Sequence, residues 1–212
     1  MSSTFEGASR SAISAIRGTL YDCTMHRRIL SSAVGLMACL TLVSCGGGGG
    51  TVCTQQYWNG SVGVCLPDAW KVVERERFEQ LRLPPEVAAA FQAEDPVSGL
   101  YPTAVITKEI LTLPTDSIAY SRANVQAVSS LPGYEQLDKR IVTVDGKEVE
   151  QHVYTAQPEA DQPKSRFYQV SAVSGSGTGY TVTVSLPFSV SEALDRQALA
   201  ISQSLTTVEP KE

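Results

Sequence analysis

Ser165-Arg166-Phe167-Tyr168-Gln169-Val170-Ser171-Ala172-Val173, the linker Ser174-Gly175-Ser176-Gly177-Thr178-Gly179, and Tyr180-Thr181-Val182-Thr183-Val184-Ser185-Leu186 together decide the fold class. Two runs rich in β-branched and aromatic residues, joined by glycine and serine, predict an antiparallel hairpin. In the second run Tyr180, Val182, Val184 and Leu186 point one way, and Thr181, Thr183 and Ser185 the other. A period of two predicts a sheet with one face buried and one face wet.

Working outward, the chain continues into Ser189-Val190-Ser191-Glu192, a capping-box pattern that predicts a helix start. Leu194, Ala198, Ile201 and Leu205 fall at i, i+4, i+7 and i+11, so this helix carries one apolar stripe. Upstream, Tyr134–Val144 and Lys147–Thr155 read as strands joined at Asp145-Gly146, a strong hairpin signal. Gln157 to Lys164 is a polar loop. Tyr101–Leu113 reads as another strand, followed by a helix capped by Thr115 and stopped at Pro132-Gly133. Ile118, Val125 and Val128 share a face of that helix, with Ala119, Ala123 and Ala127 close by. Pro84-Pro85-Glu86 is expected to open a short helix through Val87-Ala88-Ala89-Ala90-Phe91. Glu74 to Glu79 alternates charge and reads as a solvated face. Trp70 is assigned to the core.

The expected fold class is α+β: an antiparallel sheet of about six or seven strands flanked by helices, each packing on the sheet through an apolar stripe.

Near the N-terminus, Arg27-Arg28 precedes the apolar run Ile29–Val43, which ends at Ser44-Cys45. Basic start, apolar core and small-residue end are the parts of an export signal. The core falls short of the ~20 apolar residues that a spanning helix needs. Leu42-Val43-Ser44-Cys45 resembles the lipobox of bacterial lipoproteins, which implies cleavage before Cys45 and acylation of that residue. Two or more acyl chains give a stable anchor where one holds only marginally. The partition that follows is 1–24 as an upstream segment, 25–44 as signal, 45–51 as lipidated Cys and glycine tether, 52–208 as the domain and 209–212 as a tail. Residues 1–24 read as a start taken too early, with Met25 the real one; a long n-region is the alternative. Gly46 after the Cys, in place of Asp, implies by the same resemblance an outer-membrane position facing the periplasm.

From Cys45 onward the chain holds 13 basic and 20 acidic residues, a formal charge of −7. A basic footprint is what phosphate binding requires first, so nucleic acid is excluded as a partner. Two other cysteines remain, Cys53 and Cys65, flanking Asn59-Gly60. In an oxidising compartment they predict a disulfide closing a first hairpin, with the two cysteines opposite each other to within one residue of register. Two Cys without a nearby His are too few for a metal site. Tyr57 and Trp58 beside the turn are candidate partner-contact residues.

No catalytic residue is assigned. His152 is the one histidine after Cys45, on an expected strand, and no nucleophile elbow surrounds any serine. Gly175–Gly179 joins two strands and lacks the strand-to-helix context of a phosphate loop. Glu148 and Glu150 share a strand face and read as exposed acids on an edge. No cofactor or metal is expected.

The order Leu66-Pro67-Asp68-Ala69-Trp70, Tyr101-Pro102-Thr103-Ala104-Val105-Ile106-Thr107 into a helix, Val144-Asp145-Gly146-Lys147, Ser165–Val170, Gly179–Val184 and a closing helix ending in Ser204-Leu205 resembles the PsbP/Mog1-like α/β/α sandwich, in particular the bacterial DcrB-like lipoproteins. The resemblance spans Gln55 to Val208, rests on element order and departs at Phe78–Gly99. It implies a protein-binding or accessory role without catalysis. Carriage of a small apolar ligand between sheet and helices, or an envelope hydrolase, are the alternatives.

Overall fold

The computed structural model describes residues 53–159 and 162–210. The leader, Cys45, the glycine tether and the segment 1–24 lie outside the described residues. The chain runs β1 (Gln55–Trp58), β2 (Gly63–Leu66), β3 (Trp70–Val72), α1 (Glu76–Gln80), β4 (Val87–Ala93), β5 (Thr103–Ile110), α2 (Ser117–Val128), β6 (Glu135–Val144), β7 (Lys147–Ala156), β8 (Ser165–Val173), β9 (Thr178–Pro187) and α3 (Glu192–Gln203). β1 and β2 form a small sheet, and the other strands make one seven-stranded sheet in the order β3-β4-β5-β9-β8-β7-β6. Every pairing is antiparallel. Helices lie on both faces, so the domain is an α+β sandwich of the kind expected.

The β8–β9 hairpin forms in the register Ser165↔Pro187 to Val173↔Gly179. The β6–β7 hairpin turns on two residues with positive φ, Asp145 at 50° and Gly146 at 76°. That combination matches the right-handed strand twist and needs Asp, Asn or Gly, so the sequence signal was a mechanical one.

One face of the sheet carries Phe91, Ile106, Tyr168, Val170, Val182, Val184 and Leu186 against α3 and the β1–β2 hairpin. α3 buries Ala198, Ile201 and the following Leu205 as its stripe requires. Its cap is Ser191, whose hydroxyl accepts from Leu194 N; the helix therefore starts later than a cap at Ser189 would have it. Trp70 is fully buried and donates from Nε1 to Gln197 Oε1 at 3.1 Å.

Four expectations are corrected. Val87–Ala93 is a strand, not a helix, because it is sandwiched between β3 and β5 and buried along most of its length. Alanine favours a helix by propensity, but a seven-residue segment is too short for that to outweigh pairing on both sides. The helix after β5 is capped by Asp116, which accepts from Ala119 N at 2.7 Å, and not by Thr115. Its buried residues are Ser117, Tyr120, Ser121, Asn124 and Val128, while Ile118 and Val125 are only half-buried. The stripe that docks is thus mostly polar. Correspondingly the Thr181–Thr183–Ser185 face of β9 is not wet: these residues are 2 %, 0 % and 8 % exposed. α2 and the segment through α1 cover that face, with Phe78, Leu81, Leu83, Val128 and Leu131 packing against Val105, Tyr154 and Phe167.

Candidate functional site

The first candidate is the β1–β2 hairpin. Its loop runs from Asn59 to Val62, with Asn59 Oδ1 accepting from Ser61 N and Val62 N, both at 3.1 Å. An asparagine bonding its own backbone two residues on nucleates such a turn. The strands then pair Gln55↔Leu66, Gln56↔Cys65 and Trp58↔Gly63. Cys65 therefore faces Gln56, three residues from Cys53, which corrects the expected register. The disulfide Cys53–Cys65 spans this offset with a Cα–Cα distance of 5.3 Å, inside the usual range. It ties the chain preceding β1 to β2, whose end is packed into the core.

Tyr57 and Trp58 are brought to this hairpin but serve differently. Tyr57 is half-buried, its ring edge-on to Phe91 at 4.9 Å between centroids. Burial pushes its phenol above the ordinary value, opposed by the hydrogen bond with Asn59. Trp58 is half-buried with its ring against its cross-strand neighbour Gly63. Of the two, Trp58 is outside the core cluster, while Tyr57 packs on it.

The second candidate is a polar layer beneath α2. β7–β8 pairing runs from Ala156↔Ser165 to Gln151↔Val170. Beyond that end α2 supplies acceptors: Ser121 Oγ takes the Glu150 N–H at 2.9 Å and Ser117 Oγ takes the Val173 N–H at 3.0 Å. Tyr120 reaches further, lying over Gly179 of β9 and donating to Glu109 Oε2 on β5 at 3.3 Å. Burial, the largest cause, pushes the Tyr120 phenol up to about 12.

Glu150 is nearly buried, not an exposed edge acid, since β7 lies between β6 and β8. Arg122 Nε donates to it at 3.0 Å and Lys139 Nζ lies 3.9 Å away. Glu148 remains exposed. His152 is fully buried, with Nε2 2.9 Å from Tyr134 Oη and Nδ1 without a partner in the protein. Desolvation, with Lys139 adding to it and Glu150 opposing, lowers its pKa to about 4, so the ring is neutral at pH 7. Tyr134, His152, Tyr154 and Phe167 form a run of neighbouring rings 4.8–5.8 Å apart. Among the described residues no group of three or more His, Cys, Asp and Glu could hold a metal ion, and no helix is long and apolar enough to cross a membrane.

Sequence reasoning missed Ser117, Tyr120, Ser121, Asn124, Gln169 and Thr183 as members of a covered polar layer. The signal available was helical spacing among polar residues, for 117, 120/121, 124 and 128 lie on one face.

No family model matches the chain, and no curated protein matches it. Among solved structures it is similar to the Pseudomonas aeruginosa protein of unknown function PA94, at TM-score 0.47 and 14% identity over 74% of this chain and 97% of that one. It is also similar to the Saccharomyces cerevisiae Ran-binding protein Mog1p, at TM-score 0.47 and 9% identity over 71% of this chain and 92% of that one. A mutant of Mog1 gives TM-score 0.49 and 9% identity over 73% and 96%. At these values the likeness is one of overall shape, and no activity is drawn from it.

Proposed function

We propose that this chain is a cell-envelope lipoprotein, anchored by acyl chains on Cys45 and facing the periplasm from the outer membrane, whose domain is a non-catalytic binding or accessory module. The observation that carries the reading is the Cys53–Cys65 disulfide. Such bonds persist in exported proteins and are rare where thiols are kept reduced, and this one follows directly on a lipobox-like Cys45 and a glycine tether. The disulfide ties the chain just before β1 to β2 and so closes the base of the first hairpin. The half-buried Trp58 on that hairpin is the contact residue assigned to a protein partner.

The test is a mass spectrum of the native N-terminus together with membrane fractionation. The expected result is a chain beginning at Cys45 with acyl groups and found with membranes; Cys45→Ser moves it to the soluble fraction. An unmodified Cys45 in a freely soluble protein overturns the anchoring. For the binding role, crosslinking in intact envelopes is expected to trap a protein partner, with yield reduced by Trp58→Ala. Recovery of monomer alone refutes it.

A further inference from the structure

The two long helices cover the two faces of one sheet by opposite chemistry. α3 docks through Ala198, Ile201 and the adjoining Leu205, each 2 % exposed or less, with Ser202 as its one buried polar residue, accepting from Gln151 Nε2. α2 docks through Ser117, Tyr120, Ser121 and Asn124, with Val128 as its one buried aliphatic residue. Undocking α3 exposes apolar surface to water, which is strongly opposed. Undocking α2 exposes less aliphatic surface, since apart from Val128 and the Tyr120 ring its buried groups are hydroxyls and a carboxamide that water satisfies, and a broken hydrogen bond to such groups is largely replaced by one to water.

The strip of sheet on the α2 side adds to this imbalance. Gln169 Oε1 and Nε2, His152 Nδ1, Tyr154 Oη, Thr183 Oγ1 and Thr103 Oγ1 have no hydrogen-bond partner within the protein. Their residues are all 2 % exposed or less. Strand register sets His152 beside Gln169 and Gln169 beside Thr183 in one row, with Tyr154 and Thr103 in the next. Native proteins leave few buried polar atoms unpaired, and a concentration of them needs an account. A buried polar atom that no protein group pairs is destabilising, and it gains hydrogen bonds when bulk water reaches it.

The flanks of α2 suit a movement. Ile110 and Leu113 before it are 83 % and 73 % exposed. Pro132-Gly133 follows it, with Gly133 at φ +64°. The closed position is fixed by four polar contacts, Ser117 with Val173, Ser121 with Glu150, Arg122 with Glu150 and Tyr120 with Glu109, beside the packing of Val128 and the Tyr120 ring.

We propose that α2 is a hinged cover that opens as a unit about residues 111–116 and 129–133, exposing an uncharged hydrogen-bonding strip centred on Gln169 while α3 stays docked. Opening is a sub-global event, less costly than unfolding, and it lays bare a surface that the closed domain hides completely. The groups exposed are hydroxyls, one carboxamide and one imidazole, beside the rings of Tyr154 and Phe167.

Hydrogen exchange on the folded full chain, followed by mass spectrometry, tests this. Peptides covering 118–130 are expected to exchange at least ~100-fold faster than those covering 195–204, as a cooperative block. Exchange of both helices at one common rate overturns the proposal. Gln169→Met and Thr183→Val each remove an unpartnered group at similar volume and are expected to slow exchange in 118–130 several-fold. If both folded variants leave that rate unchanged or raise it, the strip is not what opening exposes and the proposal fails.

Discussion

Gly179 of β9 and Tyr120 of α2 are in direct contact: a Cβ at position 179 would stand 2.7 Å from Tyr120 Oη and 2.8 Å from Cε1. The absence of a side chain there leaves room for the phenol against the sheet, from where it reaches Glu109 on β5. Gly179→Ala is expected to displace the ring and destabilise the domain by about 1–3 kcal/mol, since overpacking forces off-rotamer geometry. Urea denaturation measures it; an unchanged midpoint contradicts the contact. Tyr120→Ala made in the Gly179→Ala background is expected to cost less than it does alone, because the two residues share one contact.

His152 makes stability depend on pH with a definite sign. The folded imidazole has its pKa lowered from 6.5 to about 4, by desolvation first and by Lys139 second, with Glu150 opposing. Above pH 6.5 neither folded nor unfolded state holds the proton. Between 6.5 and 4 only the unfolded state binds it, so stability falls as pH drops, and below about 4 this contribution levels off. The loss is at most about 3 kcal/mol. His152→Gln, which keeps a partner for Tyr134, is expected to flatten that part of the denaturation-midpoint profile relative to the parent.

The disulfide closes a short loop, Cys53 to Cys65, a separation of 12 residues. Reduction, or Cys65→Ser, is expected to lower stability by roughly 3 kcal/mol, chiefly by freeing the unfolded chain. Thermal melts with and without reductant check this, and Cys65→Ser should be insensitive to reductant.

Ile201 is fully buried at the centre of the α3 stripe, in the cluster with Val182, Val184 and Leu205. Ile201→Ala is expected to cost 2–5 kcal/mol through lost burial and the cavity it leaves. Ser121→Ala, on the polar helix, removes an acceptor from Glu150 N and is expected to cost about 1–3 kcal/mol. Equilibrium denaturation of both variants distinguishes apolar from polar docking.

What could be read without coordinates was whatever local chemistry specifies. Asp145-Gly146 demanded a two-residue hairpin because few other residues accept two consecutive positive φ angles. The alternation in β9 and the stripe of α3 marked their apolar faces because strand and helix periods are intrinsic to the backbone. An antiparallel sheet of about six or seven strands with flanking helices followed from these patterns, and the structure has one of seven strands beside a two-stranded sheet. The two cysteines on the first hairpin were legible as a pair, though their register was not: the loop takes four residues, Asn59 to Val62, which shifts Cys65 to face Gln56.

The tertiary structure decided what covers each surface. An alanine-rich run became β4 because strands on either side offered it backbone partners, and a propensity of a few tenths of a kcal/mol per residue does not resist that. The threonine face of β9 could have stayed in water; it is dry because α2 and the α1 segment fold over it. Glu150 and His152 were drawn inward for the same reason, as β7 took a place between two other strands. Periodicity reports that a strand has two faces, but whether the polar one meets solvent or another element depends on contacts between residues far apart in the chain, and no local pattern encodes those.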